Sequence, residues 1–294
     1  MPGLTLTITS EKIAKLARQC DEILAARSQI DRGRVRRVAG LATWIAGIRP
    51  QVTAYTARLG AATTTSSEFF STPQWRPTIR WWRRLCNGDL QQVQRHCREP
   101  TNFFTLITFD AALTGGGAVL QAENNHGRRS VDRWRCSVQA GLKSLEEAAT
   151  RPIIAYWHRR WEEDDFNLLK VKQGEPSGQA ALEAYTLLIS VATWSKVLSQ
   201  AQGALHVRGD ALGVLYNMLR FKSRDPVLNA IAGELAHLVA PLGLDSRAAH
   251  VWSERNDTCD KLSRTKDGEA CNLPELQQAV RVKRLTRRDF GLVA

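Results

Sequence analysis

The stretch Thr105–Leu120, TLITFDAALTGGGAVL, decides how the rest of the chain is read. Leu106, Ile107 and Phe109 form an apolar run of strand type, and Asp110 stands at its end. Gly115, Gly116 and Gly117 follow; glycine accepts φ > 0 without steric cost, so a tight reversal is expected there. Ala118, Val119 and Leu120 then begin a returning strand. A carboxylate between a buried strand and a glycine turn must be solvated, paired or bound to a cation. Alone, it is most simply an Asp that caps the turn. Three further acids downstream in matching positions change that reading.

Those acids sit in a chain whose charge is unevenly spread. The net charge is +12 over 294 residues. Residues 1–100 carry 16 Lys+Arg against 7 Asp+Glu, residues 101–280 carry 20 against 21, and residues 281–294 carry 5 against 1. A basic first third and tail around a balanced middle suit an anionic partner, and nucleic acid is the first candidate. A merely solvated basic face is the competing reading on charge alone. The 43% hydrophobic content suffices for a core, and the length allows one large domain or two ordinary ones.

Other classes find little support. The six cysteines (Cys20, Cys86, Cys97, Cys136, Cys259, Cys271) include no C-x-x-C pair, so a zinc ribbon is disfavoured and free thiols in a reducing compartment are expected. No apolar run approaches the ~20 residues that span a bilayer. The start, MPGLTLTITSEK, lacks a basic region followed by an apolar core, so no secretory signal and no membrane association are expected. An intracellular location, nuclear or cytoplasmic, follows. The tail RVKRLTRRDF is basic enough for nuclear targeting or nucleic-acid contact.

Along the first hundred residues, helical spacing is expected over residues 10–27, from Val35 to Ile48, over Val52–Leu59 and over Arg76–Leu85. Trp44 reads as a packing anchor. Trp81 and Trp82, set among arginines, read either as anchors or as stacking groups beside phosphate-binding cations. Three strands in an antiparallel meander are expected at Phe103–Ala111, Gly117–Ala122 and Ser130–Ser137. Residues 140–178 read as an insertion, with Glu162–Asp165 a solvated acidic turn. A helix is expected over Gln179–Leu198 with Glu183 in its first turn, then a strand Ala204–Gly209 ending in Asp210, and a helix Ala211–Leu219. Asp225-Pro226 opens another helix, running to Val239. The strand Leu244–Trp252 and a short segment headed by Asp260 complete the order.

Asp110, Glu183, Asp210 and Asp260 thus come from four separate elements, at strand ends or early in helices. Carboxylates so placed can converge on hard cations, because Mg²⁺ takes oxygen ligands and keeps part of its water. Two such ions ~4 Å apart activate a water and stabilise the leaving oxygen of a phosphodiester.

The segments TFDAALTGGGAVL, ALEAYTLLISVATW, LHVRGDALGVL and AAHVWSERNDTCDKLSR resemble the ribonuclease H family. More closely, they resemble the ribonuclease H region of a retroelement reverse transcriptase. The order Asp, Glu, Asp, Asp matches the family's acids, and His250 and Asn256, ten and four positions before Asp260, match its closing motif. The likeness covers Asn102–Arg264. Residues 10–85 also resemble the helical connection that precedes this region in such elements.

The resemblance implies an α/β fold: a ribonuclease H-like mixed five-stranded sheet flanked by helices, after an N-terminal helical segment. It implies domains at 1–100 (basic, connection-like) and 101–267 (ribonuclease H-like, with 140–178 inserted), then a basic tail at 268–294. Two Mg²⁺ (or Mn²⁺) ions would be held by Asp110, Glu183, Asp210 and Asp260, with Asp110 bridging both and His250 assisting proton transfer or product release. The substrate would be the RNA strand of an RNA–DNA hybrid, whose 2′-OH groups distinguish it from DNA.

Three departures bear on this. Ala211 stands where retroelement relatives commonly carry Asn, and Asp110 and Glu183 are 73 positions apart. No Tyr-x-Asp-Asp motif is present, so a polymerase palm is not expected; a polymerase domain would be separate or missing. A catalytically decayed, nucleic-acid-binding descendant is the alternative function, and a DNA-acting nuclease or integrase relative a further one.

Overall fold

The computed structural model describes residues 5–26, 29–48, 52–53, 55–56, 59–60, 69–87, 94–96, 103–124, 152–200, 204–240, 242, 245–266, 269 and 272–283. In the N-terminal part the described residues include the helices α1 (Ser10–Ala25), α2 (Arg32–Ile48) and α3 (Thr72–Cys86). Ile13, Leu16, Cys20 and Ile23 of α1 recur at helical spacing and meet Val35, Val38, Ala42 and Ile45 of α2 in one core. Two short antiparallel pairs brace it: β1 (Thr5–Thr7) with β4 (Gln94–His96), and β2 (Gln29–Asp31) with β3 (Phe69–Ser71). Trp81 and Trp82 of α3 are buried there, and Tyr55 stacks on Trp81 at 3.7 Å between ring centroids. These two tryptophans are therefore packing groups. Trp44 is not: it is exposed, with Lys12 Nζ 3.6 Å above its ring.

The second part is built on a mixed sheet of order β10-β7-β6-β5-β8-β9. β5 (Phe103–Ala112), β6 (Gly115–Asn124) and β7 (Ile153–Arg160) form the antiparallel meander. β8 (Ala204–Gly209) and β9 (Asp245–His250) add parallel to β5. Among the described residues it is accompanied by helices α4 (Glu163–Leu169), α5 (Gln179–Thr193), α6 (Ser195–Leu198), α7 (Leu212–Arg220) and α8 (Pro226–Val239). One face of the sheet, with Ile107, Phe109, Leu120 and Trp157, packs on α5, α7 and α8. α5 is buried from Ala181 to Ala192, which is why its sequence is apolar on nearly every side. The other face, with Val119 and Tyr156, packs on Cys259 and Leu262 of a last helix, α9 (Asp257–Arg264).

Several expectations are corrected. The third strand is Ile153–Arg160, inside the segment read as an insertion; Ser130–Ser137 lies outside the described residues. Ala155, Tyr156, Trp157 and His158 are all buried in a row, so the strand shows no polar alternation. The sheet has six strands rather than five, because β10 (Val280–Arg281), from the segment read as a tail, pairs parallel with β7. In the acidic run, Glu162 to Asp164 are exposed, but Asp165 is buried. Its carboxylate accepts from the Glu162 backbone N–H at 3.0 Å and from the Tyr185 hydroxyl at 3.2 Å, so it caps α4.

The glycine triplet is corrected most instructively. The reversal falls on Leu113-Thr114, and the glycines begin β6. Among the described glycines only Gly174 has positive φ. What the triplet supplies is room. A methyl at Gly115 would lie 2.7 Å from the carbonyl oxygens of Arg159 and Ser263. One at Gly116 would lie 2.6 Å from the Trp161 ring, and one at Gly117 2.5 Å from Leu262 Cβ. Bare backbone there lets α9 settle on one face of the hairpin while Trp161 and Thr186 close on the other.

Gly117→Ala must therefore push α9 off the sheet. The expected loss is about 1–3 kcal/mol, the usual cost of overpacking a close contact, read as a lowered thermal midpoint. Gly40→Ala, within α2 where an added methyl meets nothing within 4 Å, serves as the comparison and does not lower the midpoint.

Candidate metal centre

Asp110 is the eighth residue of β5 and faces α9 across Gly117, its partner in the register. Its side chain is buried at 5% exposure, and the Ser263 hydroxyl donates to Oδ2 at 2.8 Å. α9 and its entry grip three successive residues of β5. Cys259 Sγ donates to the Thr108 carbonyl at 3.3 Å, Asn256 Nδ2 to the Phe109 carbonyl at 3.1 Å, and Ser263 to Asp110. The position of Asp110 is thus fixed by its strand and by a helix 150 residues away in sequence.

Glu183 approaches from the opposite side of the sheet. It is the fifth residue of α5, one turn in rather than in the first turn, and only 3% exposed. Oε1 accepts from the Ala111 backbone N–H at 3.2 Å and from Gln179 Nε2 at 3.0 Å. Gln179 Nε2 also donates to the Ala111 carbonyl. The other oxygen, Oε2, is buried and has no hydrogen-bond partner among the described residues.

Asp210 follows β8 directly. The Ser253 hydroxyl donates to its Oδ2 at 2.8 Å. His250, the last residue of β9, places Nε2 3.0 Å from the Asp210 carbonyl. A carbonyl only accepts, so Nε2 carries the proton and Nδ1 is left with its lone pair in the neutral ring. One oxygen from each of Asp110, Glu183 and Asp210 lies within 4.8 Å of the others.

Asp260 stands apart from this group. It is the fourth residue of α9, and the Arg264 guanidinium takes both of its oxygens: Nε at 3.0 and 3.1 Å, Nη2 at 2.7 Å. Its charge still reaches Asp110.

These carboxylates are costly as they stand. Burial pushes the Asp110 carboxyl up from 3.8 to about 7; the Ser263 hydrogen bond opposes this, and the charges of Asp210 and Asp260 add to it. Burial likewise holds Glu183 well above the usual carboxylate range, helped by the charges of Asp110 and Asp210. A divalent cation answers the cost. Bonds of ~2.1 Å, as for Mg²⁺, span oxygens up to ~4.2 Å apart, so the three acids need to close by at most about half an ångström. The donor set is all oxygen, the choice of a hard ion, and the orphaned Glu183 Oε2 is the atom that gains most.

Sequence reasoning passed over four residues of the site: Gln179, Ser253, Ser263 and Arg264. Two were readable as helical i,i+4 neighbours, Gln179 of Glu183 and Arg264 of Asp260.

No family profile matches the chain, and no curated protein sequence matches it. Similar chains among solved structures include these two. One is ribonuclease H1 from the halophilic archaeon Halobacterium salinarum NRC-1, at 14% identity over 54% of this chain and 92% of that one, with a TM-score of 0.33. The other is a foamy viral protease-reverse transcriptase in complex with double-stranded DNA, at 13% identity over 91% of this chain, with a TM-score of 0.25. The chain spans about a third of the latter's length, at 36%. The mixed six-stranded sheet carries helices on both faces, an α/β architecture. Among the described residues no helix is long and apolar enough to cross a membrane.

The pH behaviour of the metal-free protein follows from Asp110. Its folded-state value lies above its ordinary one. The native state therefore holds a proton that the unfolded chain has released between pH 3.8 and about 7, and stability falls as pH rises through that window. In EDTA, Asp110→Asn melts several degrees above wild type at pH 8, and the gap closes towards pH 4. Adding Mg²⁺ at pH 8 raises the wild-type midpoint and leaves that of the variant in place. Calorimetric scans across pH, with and without the ion, check both.

Proposed function

We propose that this chain is a metal-dependent endonuclease that hydrolyses the RNA strand of RNA–DNA hybrids, derived from the ribonuclease H region of a retroelement reverse transcriptase. The observation that carries the proposal is the convergence of Asp110, Glu183 and Asp210, one oxygen of each within 4.8 Å of the others, at a glutamate whose Oε2 is buried without a hydrogen-bond partner among the described residues. In this reading Asp110 belongs to both cation sites, Glu183 and Asp210 to one, and Asp260 to the other once it leaves Arg264. Bound there, the cations would supply Lewis-acid activation of water and charge stabilisation at the leaving oxygen.

The protein's own groups do the rest. Ser263 holds Asp110 by one oxygen and so turns the other towards the cluster. Gln179 and the Ala111 N–H fix Glu183 Oε1, which leaves Oε2 for the cation. His250, anchored through Nε2, offers Nδ1 to a proton released beside Asp210. The excess of cations over residues 1–100 gives the polyanion a place to lie. A polymerase domain, separate or missing here, and a nuclear or cytoplasmic setting both fit such an origin.

The second reading, a decayed relative that only binds nucleic acid, draws on one observation: Arg264 occupies the carboxylate that the second cation would need. A labelled RNA–DNA hybrid with Mg²⁺ or Mn²⁺ separates the two. Wild type is expected to cut the RNA strand only with the ion present. Asp110→Asn is expected to lose more than about a hundredfold in rate while still binding the hybrid, since changes in outer-shell partners alone cost ~10–100-fold. Binding without cutting by wild type would leave the second reading standing.

A further inference from the structure

Six large hydrophobic side chains stay exposed among the described residues, and three of them, Leu212, Tyr216 and Trp252, lie on the two segments that hold Asp210. Single exposed hydrophobics are ordinary surface. These three are not scattered. Trp252 is 60% exposed two residues beyond His250, and its ring stands edge-on to the imidazole with centroids 5.2 Å apart. The next residue, Ser253, bonds the Asp210 carboxylate. Leu212, also 60% exposed, donates its backbone N–H to the Asp210 carbonyl at 3.0 Å, the same oxygen that His250 reaches.

From Leu212 the strip continues along α7. Tyr216, 49% exposed, is four residues on, and Arg220 is four further, its guanidinium 4.0 Å over the Tyr216 ring. Lys222 and Arg224, both exposed, follow. One end of the strip is thus the acid cluster and the other is cationic. At 1.5 Å of rise per residue, Leu212 to Arg220 covers ~12 Å. A duplex carries a phosphate about every 3.4 Å of axis on each strand, so that length matches three to four nucleotides. An apolar protein partner would have no use for the cations at the far end, whereas a nucleic-acid strand needs both flat apolar surface and phosphate contacts.

We propose that Trp252, with Leu212 beside Asp210, is a stacking platform for a base or sugar of the nucleic-acid strand bound at the acid cluster, and that Tyr216 and Arg220 carry that strand onward. The proposal rests on the reading of the cluster as a nuclease site, but concerns a contact that reading does not require. Among the described residues Trp252 belongs to no hydrophobic cluster, so its loss is expected to leave the fold intact. Its contribution is to hold the strand in register with Asp210 and His250.

The test uses the full chain in the Asp110→Asn background, so that binding is measured without cutting, with a fluorescein-labelled RNA–DNA hybrid as the probe. Trp252→Ala is expected to weaken binding at least about fivefold, the lower end of what one lost base stack costs. The dependence of affinity on salt stays unchanged, because no phosphate contact is removed. Trp252→Phe restores most of the affinity, and the thermal midpoint does not move. Hybrid binding by the background protein that is equal in Trp252→Ala overturns the platform alone. Loss in Trp252→Ala that Phe does not restore, accompanied by a lowered midpoint, assigns Trp252 to packing and also overturns it. A background protein that binds neither this hybrid nor the corresponding single strands overturns the platform together with the nuclease reading.

Discussion

The structure depends on how closely α9 can approach the β5–β6 hairpin. Gly115 and Gly117 set that distance, because a methyl at Gly115 would lie 2.7 Å from the Ser263 carbonyl oxygen and one at Gly117 2.5 Å from Leu262 Cβ. Everything that orients Asp110 from outside its own strand comes through α9 and its entry: Asn256 on Phe109, Cys259 on Thr108, Ser263 on Asp110 itself. Packing and chemistry are thus one constraint here. The helix that seals one face of the sheet also delivers the hydroxyl that aims a carboxylate.

On the opposite face the same task is done by different means. Glu183 belongs to a helix buried on almost all sides, and it reaches the sheet through the Ala111 N–H, one residue past Asp110. Two acids from opposite sides of a sheet meet at its rim because consecutive strand residues point to opposite faces. Asp210 then enters at the end of the neighbouring parallel strand. Asp110 and Glu183 are held apart from water by the fold, and that burial raises both carboxyls above their ordinary range. Active sites are where such uncompensated groups collect.

How much of this the sequence disclosed follows from what each feature depends on. The acid-bearing elements were legible, because strand and helix periods are local and each acid stands near an element end. The meeting of Asp110, Glu183 and Asp210 was expected from their places at element ends and from the resemblance, since sequence spacing by itself does not say which elements lie side by side. The strand Ile153–Arg160 was missed because it is covered on both faces and so lacks the alternation that marks a half-buried strand. β10 is two residues long and leaves no pattern at all. The glycine triplet was read for its torsional freedom, when its use is spatial; a sequence records that a side chain is absent, but not which neighbour fills the space. Asp165 hid among three exposed acids because a capping role depends on a helix that begins there.

Charge and composition change near residue 100, and the parts on either side of that point touch. Tyr55 stacks on Trp81 of the N-terminal core, packs also against the core under the sheet, and sits so near Gly233 of α8 that a methyl there would lie 2.6 Å from its ring. Arg84 offsets part of the burial cost of Glu234 in the same place. One aromatic ring is shared property of two hydrophobic interiors. An excised sheet domain would carry an unfilled notch over Gly233, and the helices alone would present a bare Trp81. Tyr55 and Arg84 thus make the basic helices and the acid-bearing sheet share part of their packing.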